Sequence, residues 1–380
     1  MSDPVQADTR GPIVIGAGGT GGHFFPAEAL AACLIARGHE VVLFTDGRNT
    51  RHQDGPFRGR KVHVLAGAGV AGRGLMGKLK GGLTLLRSAF RARRILKDLH
   101  PSAVVGFGGY PSIPPLLGAR LLPAAIRPPL IIHEGNAVLG QANALLARFA
   151  TAIATSYPEV ARLPENAAVT LTGMPVREGI EALANEGYPG PSSGTPLHLL
   201  IWGGSLGASI FSQVMPAALG QLPERLRRRL RVLQQVRKPE LEQVRGRYEE
   251  AGIQADLHPF ITDVPHALAQ AHLVIGRAGG SSIAELTMAG RPSLLVPLPI
   301  AASDEQGANA RALTGRGAAW MLRQPAFTPE AVSQLLNRLL TQPEKLTDAA
   351  QAAHRLQHPQ AAEKLADLVE SLTGPAAPPA

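Results

Sequence analysis

Two glycine runs hold the residue types with chemical potential in this chain. Gly16-Ala17-Gly18-Gly19-Thr20-Gly21 fits G-x-G-x-x-G, and Gly22 and His23 follow at once. Glycines and backbone N–H groups in such a turn cradle a phosphate, whatever molecule carries it. After a strand and before a helix, the same pattern is the dinucleotide fingerprint. Asp46, at the end of the next strand, could bind a ribose. A nicotinamide or flavin enzyme is therefore open at this point. The loop is richer than that fingerprint needs, however, and His23 at the helix N-terminus would crowd a bound pyrophosphate. A histidine directly behind such a loop reads as functional rather than structural. The second run is Gly203-Gly204-Ser205-Leu206-Gly207-Ala208.

Each run needs a strand before it and a helix after it. Pro12 to Gly16 is an apolar run, a helical pattern covers Pro26 to Arg37, and Glu40 to Thr45 reads as the next strand. Further strands are expected at Val62 to Leu65, Ala103 to Gly106, Leu130 to His133 and Ala152 to Thr155. Residues Arg177 to Pro196 are rich in Gly, Pro and Ser and read as a linker. The plan then repeats. Leu197 to Trp202 is a strand, a helix follows from Ser209, and strands are expected at Arg231 to Gln235, Ala255 to Pro259, Leu273 to Ile275, Ser293 to Val296 and Ala318 to Met321. Strands alternating with helices imply parallel sheets with crossover helices. The expected fold is α/β, with two Rossmann-like domains facing across a cleft. The expected divisions are 1–176, a linker 177–196, 197–356, and a C-terminal helix and tail 357–380.

Composition supports a folded chain of that size. Of 380 residues, 45% are apolar and 18% charged, a balance unlike that of disordered chains. One cysteine, Cys33, excludes an internal disulfide and suits a reducing compartment. Met1 to Arg10 carries two aspartates and no apolar stretch, so no signal peptide is expected. The best candidate for a membrane span, Leu116 to Ile132, is broken by Arg120, Pro123 and Arg127. The net charge of +9 is local: Gly55 to Lys97 contains eleven Lys or Arg and no Asp or Glu. Within it Leu79, Leu83, Leu86 and Phe90 form one helical stripe, with Lys80, Arg87, Arg91 and Arg94 beside it. Such a face suits an anionic membrane surface. A helix turned to the core gives the same pattern, and nucleic acid is a third option for which no module motif appears.

Several segments together resemble the MurG family of N-acetylglucosaminyltransferases, which make lipid II in peptidoglycan synthesis. Gly18-Gly19-Thr20-Gly21-Gly22-His23-Phe24-Phe25-Pro26 is similar to the family's N-terminal loop, and Gly106-Phe107-Gly108-Gly109-Tyr110 to its second glycine loop. His133-Glu134-Gly135-Asn136 resembles His-Glu-Gln-Asn, and Gly173-Met174-Pro175-Val176-Arg177 resembles Gly-Asn-Pro-Val-Arg. Gly203 to Ala208 resembles Gly-Gly-Ser-Gln-Gly-Ala, Arg277 to Glu285 the donor-site signature, and Gln306 with Asn309 the family's Gln and Asn pair. The motifs occur in the family's order along nearly the whole chain. Departures are Gly135, Met174 and Leu206, Glu305 where His or another polar residue is common, and Gly280-Ser281 in place of Ala-Leu.

The resemblance implies a GT-B type, inverting hexosyltransferase. It would move N-acetylglucosamine from its UDP sugar to the C4 hydroxyl of undecaprenyl-pyrophosphoryl-N-acetylmuramyl-pentapeptide, in cell-wall biogenesis and hence cell shape, division and the cell cycle. His23 is then the base, with Asn136 and Glu134 as further catalytic residues. Gly18, Gly19, Thr20, His23, Tyr110 and His133 are expected to bind the acceptor. The UDP sugar is expected at Thr20, Gly21, Gly22, Asn136, Arg177, Ser205, Gly207 and Ala208. Its other expected contacts are Phe260 and Ile261 for uracil, Arg277, Gly280, Ser281 and Ser282, Glu285 for the ribose, and Gln306 and Asn309 for sugar hydroxyls. No Asp-x-Asp motif and no Cys/His cluster occurs, so no obligatory metal or other cofactor is expected. The lipid acceptor implies peripheral docking on the anionic cytoplasmic face of the inner membrane, through Leu75, Met76, Leu79, Lys80 and Leu83, and a place in a cell-wall synthesis complex. A related transferase with another acceptor and a Rossmann oxidoreductase are the alternatives. The oxidoreductase leaves the second glycine loop and the Arg277–Glu285 segment unexplained.

Overall fold

The computed structural model describes residues 11–19, 21–47, 54–66, 75–204, 207–299 and 303–373, without the side chains of 75–79 and 178. Thr20, Ser205 and Leu206, and the side chains of Leu75, Met76 and Leu79, therefore lie outside the described residues. The chain forms two compact units, Met1–Arg177 with Gln360–Ala380, and Glu178–Pro359.

The first unit is built on a seven-stranded parallel sheet. Its strands are β1 (Ile13–Gly16), β2 (Val41–Thr45), β3 (Val62–Val64), β4 (Ala103–Gly106), β5 (Leu130–Glu134), β6 (Ala152–Thr155) and β7 (Val169–Leu171). They lie in the order β3-β2-β1-β4-β5-β6-β7. Strands β1, β2, β4, β5 and β6 are buried along their whole length, as expected for a sheet covered on both faces. β7 has all three side chains exposed, so it shows no apolar face, and its short edge pattern escapes a reading by hydropathy.

The second unit holds a six-stranded parallel sheet of β8 (Leu197–Trp202), β9 (Leu230–Gln235), β10 (Gln254–His258), β11 (Leu273–Gly276), β12 (Ser293–Leu295) and β13 (Ala319–Met321). The order is β10-β9-β8-β11-β12-β13. In both sheets the order reverses around the first strand of the unit, between β1 and β4 and between β8 and β11. The loops that leave those strand ends flank the crevice where ligands of open α/β sheets bind.

Two stretches bear on the expected divisions. Within 177–196, the helix Glu178–Glu181 and the 3-10 turn Ala182–Asn185 bury Ile180 and Leu183, so the first part of that stretch is packed structure rather than linker. The helix Ala361–Leu372 buries Leu365, Ala366 and Val369 in the core of the first unit. Arg37 ties it down through Asp367 (2.6 Å) and Glu370 (2.7 Å), and His39 meets Glu370 at 2.7 Å.

Candidate active site

The helix Gly21–Ala36 starts at the end of β1, and His23 lies in its first turn. Facing it is the loop after β4. Gly108 caps the helix Gly109–Arg120 with φ +78°, and a Cβ there would lie 3.5 Å from His23 Cδ2 and 3.3 Å from Asn143 Nδ2. A side chain at 108 would be strained in backbone and would wedge between two side chains, so glycine is required. Ser112, fully buried, donates to the Gly108 carbonyl and fixes this loop from below. The two glycine loops of the first unit meet at the sheet's switch point through the Phe107 N–H and the Gly16 carbonyl, and the half-buried His23 ring lies against Gly108 and Gly109. Burial lowers the His23 pKa, and a helix N-terminus also disfavours a cation, so the imidazole is neutral at pH 7.

Glu134 ends β5 with 2% exposure. Its Oε1 accepts from the backbone N–H (3.0 Å) and Nδ2 (2.9 Å) of Asn136. Its Oε2 accepts from the Gly140 N–H and from Asn143 Nδ2, both at 2.9 Å. Desolvation raises its pKa, and these four donors pull the other way. The carboxylate thus organises the 134–143 loop. Because Asn136 gives Nδ2 to Glu134, its side-chain oxygen is the end turned away from the carboxylate.

His133 is 2% exposed, donates from Nε2 to the Gly173 carbonyl (2.9 Å), and lies 5.4 Å ring to ring from Phe107. Burial, with a lesser contribution from His23, pushes its pKa down to about 4. It braces the loop, at a position expected to bind the acceptor. Asn143 was not singled out from sequence. It is 2% exposed and spans the His133 carbonyl (3.0 Å) and Glu134. The available signal was a polar side chain on the inner face of the short helix Gln141–Leu146, beside Ala142 and Leu146. The unusual residues 135 and 174 touch: a Cβ at Gly135 would collide with Met174 Cε. Arg177, expected with the donor groups, belongs to the first unit and lies 4.5 Å over the Phe25 ring. Asp46 is 2% exposed beside Gly18.

In the second unit the loop after β8 closes on itself. A Cβ at Gly203 would overlap the backbone of Gly207 and Ala208, which leads into the helix Ser209–Gly220. The loop after β11 brings Arg277, whose guanidinium lies 5.5 Å from the Phe211 ring of that helix. The helix Gly280–Met288 follows, with Gly280, Ser281 and Ser282 in its partly exposed first turn and Glu285 buried. The helix Glu305–Thr314 fastens this loop at both ends of one residue. Gln306 Oε1 accepts from Ala278 N (3.3 Å) and Leu298 N (3.0 Å), and Asn309 Nδ2 donates to Ala278 O (2.9 Å). Asn309 is 0% exposed and holds the loop through this bond. Phe260 and Ile261 line a cavity of about 200 Å³ with His198, Arg231, Asp256 and His258. Among the described residues, no group of three His, Cys, Asp or Glu is placed to hold a metal ion.

Along the helix Leu75–Leu99, Leu85, Ala89, Ala92 and Leu96 face the core. Leu83 (49%), Leu86 (49%) and Phe90 (61%) are exposed. Lys80, Arg87, Arg91 and Arg94 are exposed beside them. The stripe read from sequence is therefore the outer face of this helix. No described helix is long and apolar enough to cross a membrane.

This arrangement has relatives. Residues 13–155 match the N-terminal domain of glycosyltransferase family 28, and residues 198–368 its C-terminal domain. The chain is 63% identical over 360 residues to the UDP-N-acetylglucosamine–N-acetylmuramyl-(pentapeptide) pyrophosphoryl-undecaprenol N-acetylglucosamine transferase of Gluconobacter oxydans, covering 95% of this chain and 98% of that one. The protein of the same name from Rhodospirillum centenum is 49% identical over 96% and 95% of the two chains. Among solved structures, MurG of Acinetobacter baumannii aligns with a TM-score of 0.75 at 32% identity, over 95% of this chain and 99% of that one. The calicheamicin glycosyltransferase CalG4, 16% identical with a TM-score of 0.65 over 97% and 100% of the chains, shares the fold alone. Two parallel Rossmann-like sheets, both family domains and near full-length identity to these enzymes lead to one conclusion: the chain belongs to glycosyltransferase family 28, in its branch of pyrophosphoryl-undecaprenol N-acetylglucosamine transferases, with the GT-B fold.

Proposed function

We propose that the chain transfers N-acetylglucosamine from UDP-N-acetylglucosamine to the C4 hydroxyl of undecaprenyl-pyrophosphoryl-N-acetylmuramyl-pentapeptide, with inversion at the anomeric carbon. The observation that carries this reading is the His23 imidazole at the start of the helix after β1, packed against Gly108 and Gly109 of the loop after β4, where burial lowers its pKa. The identity to transferases named for this reaction supports it. In a single displacement the acceptor O4 bonds to C1 of the sugar as the C1–O bond to UDP breaks. His23 takes the O4 proton, and UDP leaves with the electron pair. A general base of this kind contributes about 10²–10⁴-fold.

Asn136, fixed by Glu134, is assigned to the acceptor side of the site. Gly18, Gly19 and Tyr110 are assigned to the acceptor side. In the second unit Gly207 and Ala208 lead into a helix N-terminus, which suits the leaving diphosphate, and Arg277 adds a cation. Glu285 is assigned to the ribose hydroxyls, Phe260 and Ile261 to uracil, and Gln306 to the sugar. The test is an assay with the purified chain, UDP-N-acetylglucosamine and a lipid I analogue. Release of UDP without a disaccharide product would refute the acceptor assignment.

The acceptor's polyprenyl tail stays in a bilayer. Exposed Leu83, Leu86 and Phe90 among Lys80, Arg87, Arg91 and Arg94 support docking on anionic lipid at the cytoplasmic face. Replacing the three apolar residues by Glu is expected to abolish flotation with anionic vesicles while turnover of a soluble acceptor persists. Undiminished flotation would return this face to another use.

A further inference from the structure

We propose that Gln324 is a positioning residue that holds the Arg277 guanidinium while leaving its charge uncompensated for the donor diphosphate. This rests on the assignment of Arg277 to that diphosphate. Arg277 is half-buried, and every acceptor it meets is neutral. Its Nη1 donates to the carbonyls of Val296 (3.0 Å) and Pro297 (3.4 Å), and its Nη2 donates to Gln324 Oε1 (2.8 Å). Those bonds use three of the five N–H donors of a guanidinium, leaving one on Nη2 and the Nε–H. Desolvation lowers the Arg277 pKa, and among the described residues no carboxylate offsets it.

The neighbouring residue shows the opposite treatment. Arg323 grips Asp304 with both nitrogens, at 2.6 and 2.8 Å, and Arg311 adds a third bond at 3.0 Å. These arginines hold the Asp304 carboxyl well below the usual range. Asp304 caps the helix whose Gln306 reaches Ala278, the residue after Arg277. The acid in this neighbourhood is thus already paired through Arg323 and Arg311. The next side chain along, Gln324, supplies a hydrogen bond without a charge. A partly buried cation with neutral partners gains most from an anionic ligand, because nothing nearby has screened it. A carboxylate at 324 would keep the hydrogen bond and cancel the charge.

The test titrates UDP and uridine into wild type, Gln324→Glu and Gln324→Leu by calorimetry, with thermal unfolding alongside. Gln324→Glu is expected to stay as stable as wild type and to lose about tenfold or more in UDP affinity, while uridine binds as before. Gln324→Leu, which frees the guanidinium without neutralising it, is expected to lose less for UDP than Gln324→Glu. Equal losses for UDP and uridine, or no loss of UDP in Gln324→Glu, would overturn the proposal. Arg277→Gln separates the two layers. If it leaves UDP affinity intact, the diphosphate assignment of Arg277 fails, and this proposal with it. If it weakens UDP while Gln324→Glu does not, only the part given to Gln324 fails.

Discussion

The two units start from the same plan of strand, glycine loop and helix, and use their side chains differently. The first concentrates buried ionisable groups around one loop cluster: His23 and His133, both with lowered pKa, and Glu134 with four hydrogen-bond donors on its carboxylate. The second builds its loops from amides and arginines, through Gln306, Asn309, Gln324 and Arg277. The surfaces differ too. Of the exposed large hydrophobic residues among those described, only Phe260 and Leu298 belong to the second unit, while Leu83, Leu86 and Phe90 head the set on the first. On the proposed reading, one unit serves proton transfer beside a lipid surface and the other recognition of a soluble anion. The difference lies in which polar groups are buried at the switch point and which apolar groups are left outside.

That contrast can be tested by perturbing each side. The largest effect is expected at His23. His23→Ala is expected to lower turnover by about 10²–10⁴-fold and to leave UDP affinity unchanged in calorimetry. A collapse of donor binding with normal turnover of bound donor would break the division of labour. Glu285→Ala is expected to weaken UDP by about 1.5–3 kcal/mol, the range for a hydrogen bond to a charged group. A donor lacking the 2′ hydroxyl should lose affinity against wild type and little against the variant. Additive losses in that double-mutant cycle would remove Glu285 from the ribose.

Asn143→Leu leaves the His133 carbonyl and Glu134 Oε2 without their shared donor. A cost of about 1–3 kcal/mol in stability is expected, with a fall in kcat and unchanged UDP binding. Chemical denaturation and steady-state kinetics check both parts, and an unaltered kcat would mean the loop does not orient Asn136. His133 gives a pH signature. It titrates near 4 in the folded chain and near 6.5 when unfolded, so between those values the unfolded chain binds more protons. Stability should therefore fall as pH falls through this window, by at most about 1.4 kcal/mol per pH unit from this residue. His133→Gln should flatten that slope in denaturation series at pH 7, 6 and 5. The smallest effect is expected on the outer face. Leu86→Ser and Phe90→Ser should change folding stability by no more than about 0.5 kcal/mol while weakening vesicle binding. A large stability loss would make that face part of the core.

Much of this was legible along the chain because parallel strands buried on both faces are written as continuous apolar runs. Ala103–Gly106 and Ala152–Thr155 could be bounded to the residue, and the glycine runs marked where each sheet turns toward a ligand. β7 was not legible, since its side chains are all exposed. Nor could sequence decide between core and surface for Leu83, Leu86 and Phe90. A helix with two apolar stripes offers either one to the core, and only packing against the helix Gly109–Arg120 selected Leu85, Ala89 and Ala92.

The motifs determined which residues gather at the ends of β1, β4, β5, β8 and β11, because a strand end fixes the place of the loop that follows it. What each side chain does there was decided by tertiary structure. Glu134 and Asn309 carry the residue types of direct contacts, yet both spend their hydrogen bonds inside the protein. Asn143, Arg323 and Gln324 carry no motif and hold the loops in place. The physical reason is that a hydrogen bond joins residues distant in sequence and is fixed by distance and direction. Residue type records only that a group can donate or accept, and the fold alone chooses its partner.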